Sequence, residues 1–200
     1  NAVVLKPASD TPLISLKLVE ILLEAGMPPL ALSCITGSGR TAGEGICSDP
    51  RVRKISFTGS KEVGAHICSV AGIKKVTMEL GSNCPMIVLP DADMDLVAQQ
   101  TVASGFANAG QVCISAQRLL VVDSVHDDFM NAVLPKVEGL IAGNQLDEGS
   151  NVGPMVRESD AVRVESWIQE AGAAGARVLA GGQRNGAIVQ PAIVDGVTSD

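Results

Sequence analysis

Two hundred residues suffice for one large domain or two small ones and can bury a sizeable core without disulfides or metals. Hydrophobic residues make up 46% and charged ones 18%, a balance that excludes disorder and implies that further protein covers part of this surface. The formal charge of -7 argues against a nucleic-acid partner, and no apolar run is long enough to span a bilayer, so a soluble protein without a membrane partner is expected. Three Phe, one Trp and no Tyr leave the core to Val, Ile, Leu and Ala. The sequence opens inside the strand-like run Ala2-Val3-Val4-Leu5, with no initiator Met and no charged-then-apolar leader, and reads as a piece of a longer chain.

Ala2 to Leu5 reads as a buried strand that stops at Lys6-Pro7, because proline cannot supply a central ladder bond. Ser15 to Ala25 carries a helical apolar face closed by Gly26. Ala31 to Ile35 is a second strand, followed by the turn Gly37-Ser38-Gly39 and a short helix over about Thr41 to Ser48. Lys54 to Phe57 is a third strand, Thr58-Gly59-Ser60 a third turn and Lys61 to Ala71 a third helix. Strand, turn and helix in threefold succession predict a parallel sheet covered by helices. Val76 to Leu80 and Met86 to Leu89 are strands separated by Gly81-Ser82-Asn83, and the stretch Gly81 to Pro85 marks the expected domain boundary. Asp95 is a candidate cap for a helix to about Ala107. A strand (Leu119 to Val122) and helices (Asp127 to Leu140, Ser159 to Ala171) follow, then strands at Arg177 to Leu179 and Ile188 to Val194. Trp167 falls on an apolar helix stripe and reads as core.

Five cysteines stand at 34, 47, 68, 84 and 113, none in C-x-x-C spacing, and there are only two histidines, so no metal site is expected. All but Cys113 lie among apolar residues, where free Cys behaves as a small hydrophobe, and a reducing, cytoplasmic compartment fits best.

Ligands of parallel sheets gather at the C-terminal strand ends, where helix N-termini present unpaired N–H groups. Gly37-Ser38-Gly39-Arg40-Thr41-Ala42-Gly43 lies at such a place, although its spacing misses the dinucleotide fingerprint by one residue. Phe57-Thr58-Gly59-Ser60-Lys61-Glu62-Val63-Gly64 is a second strand-to-helix turn, and two such turns on one sheet edge favour a nucleotide site. Lys6, at a strand end, can reach a ribose or phosphate or can simply be solvated. Glu79, between Met78 and Leu80, is either a buried carboxylate suited to a general base or a residue on the polar face of an edge strand. Cys113 sits in a loop after Gly110-Gln111 and is either a nucleophile or an inert thiol. His66, in a helix, and His126, near a helix start, read as solvated or capping.

These segments together resemble the aldehyde dehydrogenase superfamily. The carriers, in order, are Lys6-Pro7-Ala8-Ser9-Asp10-Thr11-Pro12-Leu13, Gly37-Ser38-Gly39 with Thr41-Ala42-Gly43, Phe57-Thr58-Gly59-Ser60, Glu79-Leu80-Gly81 and Gly110-Gln111-Val112-Cys113. The resemblance covers the whole chain but only the middle of the family's usual length. It implies an α/β fold in which residues 1–81 are part of a parallel-sheet, Rossmann-like dinucleotide-binding domain and residues 82–200 part of an α/β catalytic domain. It also implies a homo-oligomer that acts on a small-molecule aldehyde.

In the implied chemistry Cys113 attacks the aldehyde carbon to form a thiohemiacetal, hydride passes to NAD or NADP, and a water activated by Glu79 hydrolyses the thioester. The cofactor would lie against Lys6, Ser9, Gly39, Gly43, Phe57, Thr58, Gly59, Ser60, Lys61, Glu62, Val63, Gly64, Leu80 and Gly81, with Ser60 donating to the pyrophosphate. The family's Asn that helps hold the oxyanion, and a Glu for the nicotinamide ribose, fall outside these residues, so the chain alone is expected to be inactive. The family's doubled glycine after Glu-Leu is here Gly81-Ser82. Ser9 stands where NAD-preferring relatives often carry Glu, which predicts tolerance of NADP. The nearest resemblance is to the semialdehyde, lactaldehyde and phosphonoacetaldehyde oxidising branches. Two other readings compete: a non-catalytic structural or interaction fragment, and a cysteine hydrolase or acyltransferase, which would need a His beside Cys113.

Overall fold

In the computed structural model, which describes residues 1–198, runs of aliphatic residues become strands and stretches of 3.6-residue periodicity become helices. The chain divides into two compact units, one ending at Gly81 and the other beginning at Ser82.

In the first unit β1 (Val3–Leu5) and β2 (Leu32–Cys34) pair in parallel from Val3 opposite Leu32 to Leu5 opposite Cys34, joined across α1 (Pro12–Glu24). The helix starts earlier than its apolar face suggests, because Pro12 suits a first turn whose N–H would have no partner. The short helix expected over 41–48 is instead a wide π turn (Gly39–Gly43) running into α2 (Glu44–Ser48), with Thr41 N donating to Ser38 Oγ at 3.1 Å to tighten the entry. β3 (Lys54–Thr58) and β4 (Lys75–Glu79) then pair in parallel, from Lys54 opposite Lys75 to Thr58 opposite Glu79, across α3 (Lys61–Ala71). Cys47, Ile55, Ile67 and Ala71 form the core between these elements, backed by Phe57 and Met78.

The parallel sheet expected for this half takes the form of two parallel pairs: among the described residues no ladder joins β1–β2 to β3–β4. β1 and β2 offer only three residues each, β1 ends against Pro7, which has no N–H, and Val3 and Val4 are exposed rather than covered on both faces.

The second unit repeats the crossover. β5 (Cys84–Val88) and β6 (Ala116–Val121) pair in parallel, with a register shift at Cys84/Pro85, across α4 (Met94–Phe106). Val88, Ala98, Phe129, Val133 and Val137 form its core, the last three from α5 (His126–Glu138). The cap of α4 is Asp93, whose carboxylate accepts from Leu96 N at 3.1 Å. Asp95 lies within the first turn and instead pairs with Lys136 of α5 at 2.8 Å. After α6 (Glu158–Ala173), β7 (Arg177–Ala180) pairs antiparallel with β10 (Ile193–Asp195). Between them β8 (Arg184–Asn185) and β9 (Ile188–Val189) form a small hairpin. The strand expected over 188–194 is thus two strands, interrupted at Pro191, which has no N–H to give a ladder.

Trp167 is not core: it is 58% exposed on α6, with the Arg163 guanidinium 5.3 Å from its ring centre. The other cysteines are also less uniform than expected. Cys47 is buried, Cys34 and Cys84 are half-buried, and Cys68 is exposed. No helix among the described residues is long and apolar enough to cross a membrane, and none of their His, Cys, Asp and Glu side chains group in threes that could hold a metal ion.

Candidate active site

The residues singled out for cofactor binding gather at two places in the first unit. At the C-terminal ends of β1 and β2, Lys6 Nζ donates to the carbonyls of Pro7 (2.6 Å) and Gly37 (3.1 Å), and Ser9 Oγ reaches the same Gly37 oxygen at 3.4 Å. Lys6 is therefore not a freely solvated cation: its stem runs beside Gly43, and its head is fixed at the glycine turn. Gly39 faces open space, with nothing within 4 Å of where a side chain would begin.

The second place is set by the register of β3 and β4. Thr58 stands opposite Glu79, and the next residue, Gly59, donates its N–H to the Glu79 carbonyl at 3.1 Å. The turn Phe57 to Ser60 and the segment Glu79 to Gly81 are thereby held side by side. Two glycines are required for this approach. A Cβ on Gly59 would lie 2.4 Å from the Phe57 ring, and one on Gly64, in the first turns of α3, would lie 2.7 Å from Leu80. Ser60 caps α3, its Oγ accepting from Val63 N at 3.3 Å.

The N-terminus of α3 already stabilises an anion. The Glu62 carboxyl is held below its usual range by its own backbone N–H and by a hydrogen bond from Ser60. A helix end that holds a carboxylate, with a serine hydroxyl beside it, suits the pyrophosphate of a dinucleotide, and a lysine and second serine at the ends of β1 and β2 suit its ribose. Glu79 itself is exposed at the end of β4, which among the described residues pairs only with β3, so within them its side chain lies at a strand edge and is not buried.

Cys113 belongs to the second unit. It is exposed, in the loop between α4 and β6, and this loop is strained and heavily anchored. Asn108 (φ 52°), Ala109 (φ 55°) and Gly110 (φ 73°) lie consecutively in the left-handed region, where only Gly is at ease. Gln111 then braces the loop from both ends of its amide, accepting from Val156 N at 2.9 Å and donating to the Asn108 carbonyl at 3.1 Å. Around the cysteine, Ser115 N closes a turn on the Val112 carbonyl at 3.0 Å. Ser115 is 1% exposed, and its Oγ has no hydrogen-bond partner.

Two residues that the sequence left without a role touch this loop. Ser82 Oγ donates to the Cys113 carbonyl at 2.5 Å, and Cys84 Sγ lies 3.4 Å from the same oxygen and 2.8 Å from Ser82 Oγ. The substitution of Ser82 for a second glycine was the available signal. The histidines do not serve the cysteine: His66 pairs with Glu44 at 2.8 Å, and His126 with Asp195 at 3.0 Å and Asp127 at 3.3 Å.

The chain belongs to the aldehyde dehydrogenase family, whose sequence model matches residues 1–200. Similar to it is a 3-sulfolactaldehyde dehydrogenase of Priestia aryabhattai, 44% identical over 200 residues that are 100% of this chain and 42% of the relative. An NADP(+) succinate-semialdehyde dehydrogenase of Escherichia coli is 43% identical over 196 residues, 96% of this chain and 41% of the relative. Among solved structures, an NADP-dependent enzyme of E. coli matches with a TM-score of 0.96 at 42% identity, covering 100% of this chain and 42% of that one. The glyceraldehyde-3-phosphate dehydrogenase of Methanocaldococcus jannaschii, in complex with NADP, matches with a TM-score of 0.92 at 37% identity, covering 97% and 43%. The chain thus spans about two fifths of the length of the relatives it matches.

Proposed function

We propose that these residues carry the nucleophile, the base and much of the cofactor cradle of an enzyme that oxidises an aldehyde to a carboxylic acid with NAD or NADP. The observation that carries this reading is the exposed Cys113 thiol, in a loop held on both sides by hydrogen bonds, within a chain that matches the aldehyde dehydrogenase family from end to end. Cys113, as thiolate, adds to the aldehyde carbon and gives a thiohemiacetal, whose oxyanion the Cys113 backbone N–H helps to hold. Lys6 and Ser9 bind the adenosine ribose. Ser60 and the first N–H groups of α3 bind the pyrophosphate, with Glu62 giving way to it. The bound dinucleotide supplies the acceptor for the hydride that leaves the aldehyde carbon. Glu79 then takes a proton from the water that attacks the Cys113 thioester, releasing the acid and the thiol.

Names borne by relatives, among them sulfolactaldehyde and succinate semialdehyde, support a small polar aldehyde as substrate. Ser9 in place of a carboxylate, beside the Lys6 ammonium, supports NADP used at least as well as NAD, because neither group repels a 2′-phosphate. A cytoplasmic homo-oligomer fits the free cysteines and the exposed apolar surface.

The test is steady-state and burst kinetics on the full-length enzyme with succinate semialdehyde and each dinucleotide. Cys113→Ser abolishes reduced-cofactor formation. Glu79→Gln gives one equivalent per site and then stalls, because the thioester still forms but is not hydrolysed. Continued turnover by Cys113→Ser would sink the reading, and a large kcat/KM preference for NAD would sink its cofactor part.

A further inference from the structure

Parallel strands bring together what the sequence keeps apart. Cys84 stands opposite Ala116 in the β5–β6 register, so two steps back along each strand lie Ser82 on one side and Ile114, the neighbour of Cys113, on the other. At that point the Cys113 carbonyl accepts the Ser82 hydroxyl at 2.5 Å. The Cys84 thiol lies 2.8 Å from Ser82 Oγ and 3.4 Å from the same carbonyl oxygen. Ser82 has a single hydroxyl hydrogen. If that hydrogen goes to the carbonyl, the Cys84 S–H has Ser82 Oγ and the Cys113 carbonyl as acceptors within reach, and its donation to the nearer Ser82 Oγ completes a relay Cys84 S–H to Ser82 O–H to Cys113 C=O.

We infer that Ser82, with Cys84 behind it, is a positioning residue for the nucleophile, a role that rests on the reading of Cys113 given above. Gln111 braces the loop before the cysteine, and the Val112–Ser115 turn encloses the peptide that follows Cys113, so the Ser82 hydroxyl adds a side-chain restraint on the carbonyl of that same peptide. The Ser82 bond fixes that peptide and with it the direction of the Cys113 Cα–Cβ bond. It leaves the thiol itself free, because it engages the carbonyl and not the sulfur. The strained run Asn108 to Gly110 just upstream makes the restraint consequential, since a loop entered through three left-handed residues has conformations of lower energy available once a tether is cut. Cys84 holds the hydroxyl rotor of Ser82 in the donating orientation.

The role separates from a packing role by what it moves. In the full-length enzyme, Ser82→Ala should lower kcat roughly 2- to 10-fold, the range expected for one net hydrogen bond, with KM for the dinucleotide unchanged. Ser82→Thr, which keeps the hydroxyl, should restore kcat. Hydrogen–deuterium exchange of the peptide spanning Val112 to Ser115 should be faster in Ser82→Ala and near wild type in Ser82→Thr. Cys84→Ala should give the same pattern in smaller measure, and it carries the test alone if Ser82→Ala does not fold. A wild-type kcat in Ser82→Ala, or slow exchange of that peptide in the variant, overturns the inference. If the unsubstituted enzyme oxidises no aldehyde, the functional reading fails, and the exchange measurement still decides the role of Ser82.

Discussion

Two glycines and one serine shape the environment of the cofactor turn, each by a different means. Gly59 leaves room for the Phe57 ring, Gly64 admits Leu80, and Ser60 caps the helix between them. Gly64→Ala tests the second of these. Alanine gains about 1 kcal/mol of helix propensity over glycine, but its Cβ would sit 2.7 Å from a Leu80 methyl, and overpacking costs about 1–3 kcal/mol. Overpacking wins, so thermal melting should report a net loss on the order of 1 kcal/mol. KM for the dinucleotide should rise with it, because Leu80 adjoins Glu79 and the turn. Adding Leu80→Ala should recover part of the cofactor affinity; if the double variant binds no better than the single one, the contact is not what Gly64 protects.

At the scale of elements, the start of α5 and the last strand are tied by charge. His126 accepts its position from Asp195 at 3.0 Å and Asp127 at 3.3 Å, and Arg177 of β7 engages the other oxygen of Asp195. The Asp195 hydrogen bond, then that of Asp127, raises the His126 pKa. The His126 and Arg177 hydrogen bonds hold the Asp195 carboxyl below its usual range. The signs differ. The raised histidine contributes stability that is whole below about pH 6.5 and is lost as pH rises through its folded value. The lowered carboxyl contributes stability that is whole above about pH 4 and is lost as pH falls through its own folded value. Both contributions are therefore present together between about pH 4 and 6.5. A plot of Tm against pH should decline above that window in the wild type and flatten in His126→Gln; parallel curves would show that the pair contributes nothing measurable.

Over the whole molecule the unusual feature is apolar surface. Leu13 and Ile14 on α1, Leu30, Ile73, Ile87 and Leu146 all stand in solvent. Large aliphatic side chains left in solvent fit a chain that spans about two fifths of the length of its relatives, the remainder of which would cover them. The 200-residue chain by itself is expected to elute as associated species in size-exclusion chromatography and to bind a hydrophobic dye. Given an aldehyde and NADP, it is expected to produce no reduced cofactor, since it spans 42% of a relative's length. A monodisperse monomer, or measurable turnover, would contradict these expectations.

The local features were legible from residue order alone. α3 runs from Lys61 to Ala71 as its periodicity indicates, because Ser60 caps it and Gly72, at φ 60°, ends it. The motifs that mark the family are contiguous strings, so they too are readable in one dimension. What the tertiary structure decided is everything that depends on which strand lies beside which. The sequence offered Asp95 as a cap where Asp93 serves, and Trp167 as core where α6 leaves it in solvent, because a helix pattern does not say which neighbour covers which face. It gave Ser82 no partner, since the Cys113 carbonyl lies thirty-one residues away along the chain and within 2.5 Å only through the pairing of β5 with β6. Hydrogen bonds between parallel strands join residues across a whole crossover, and no local propensity encodes that separation.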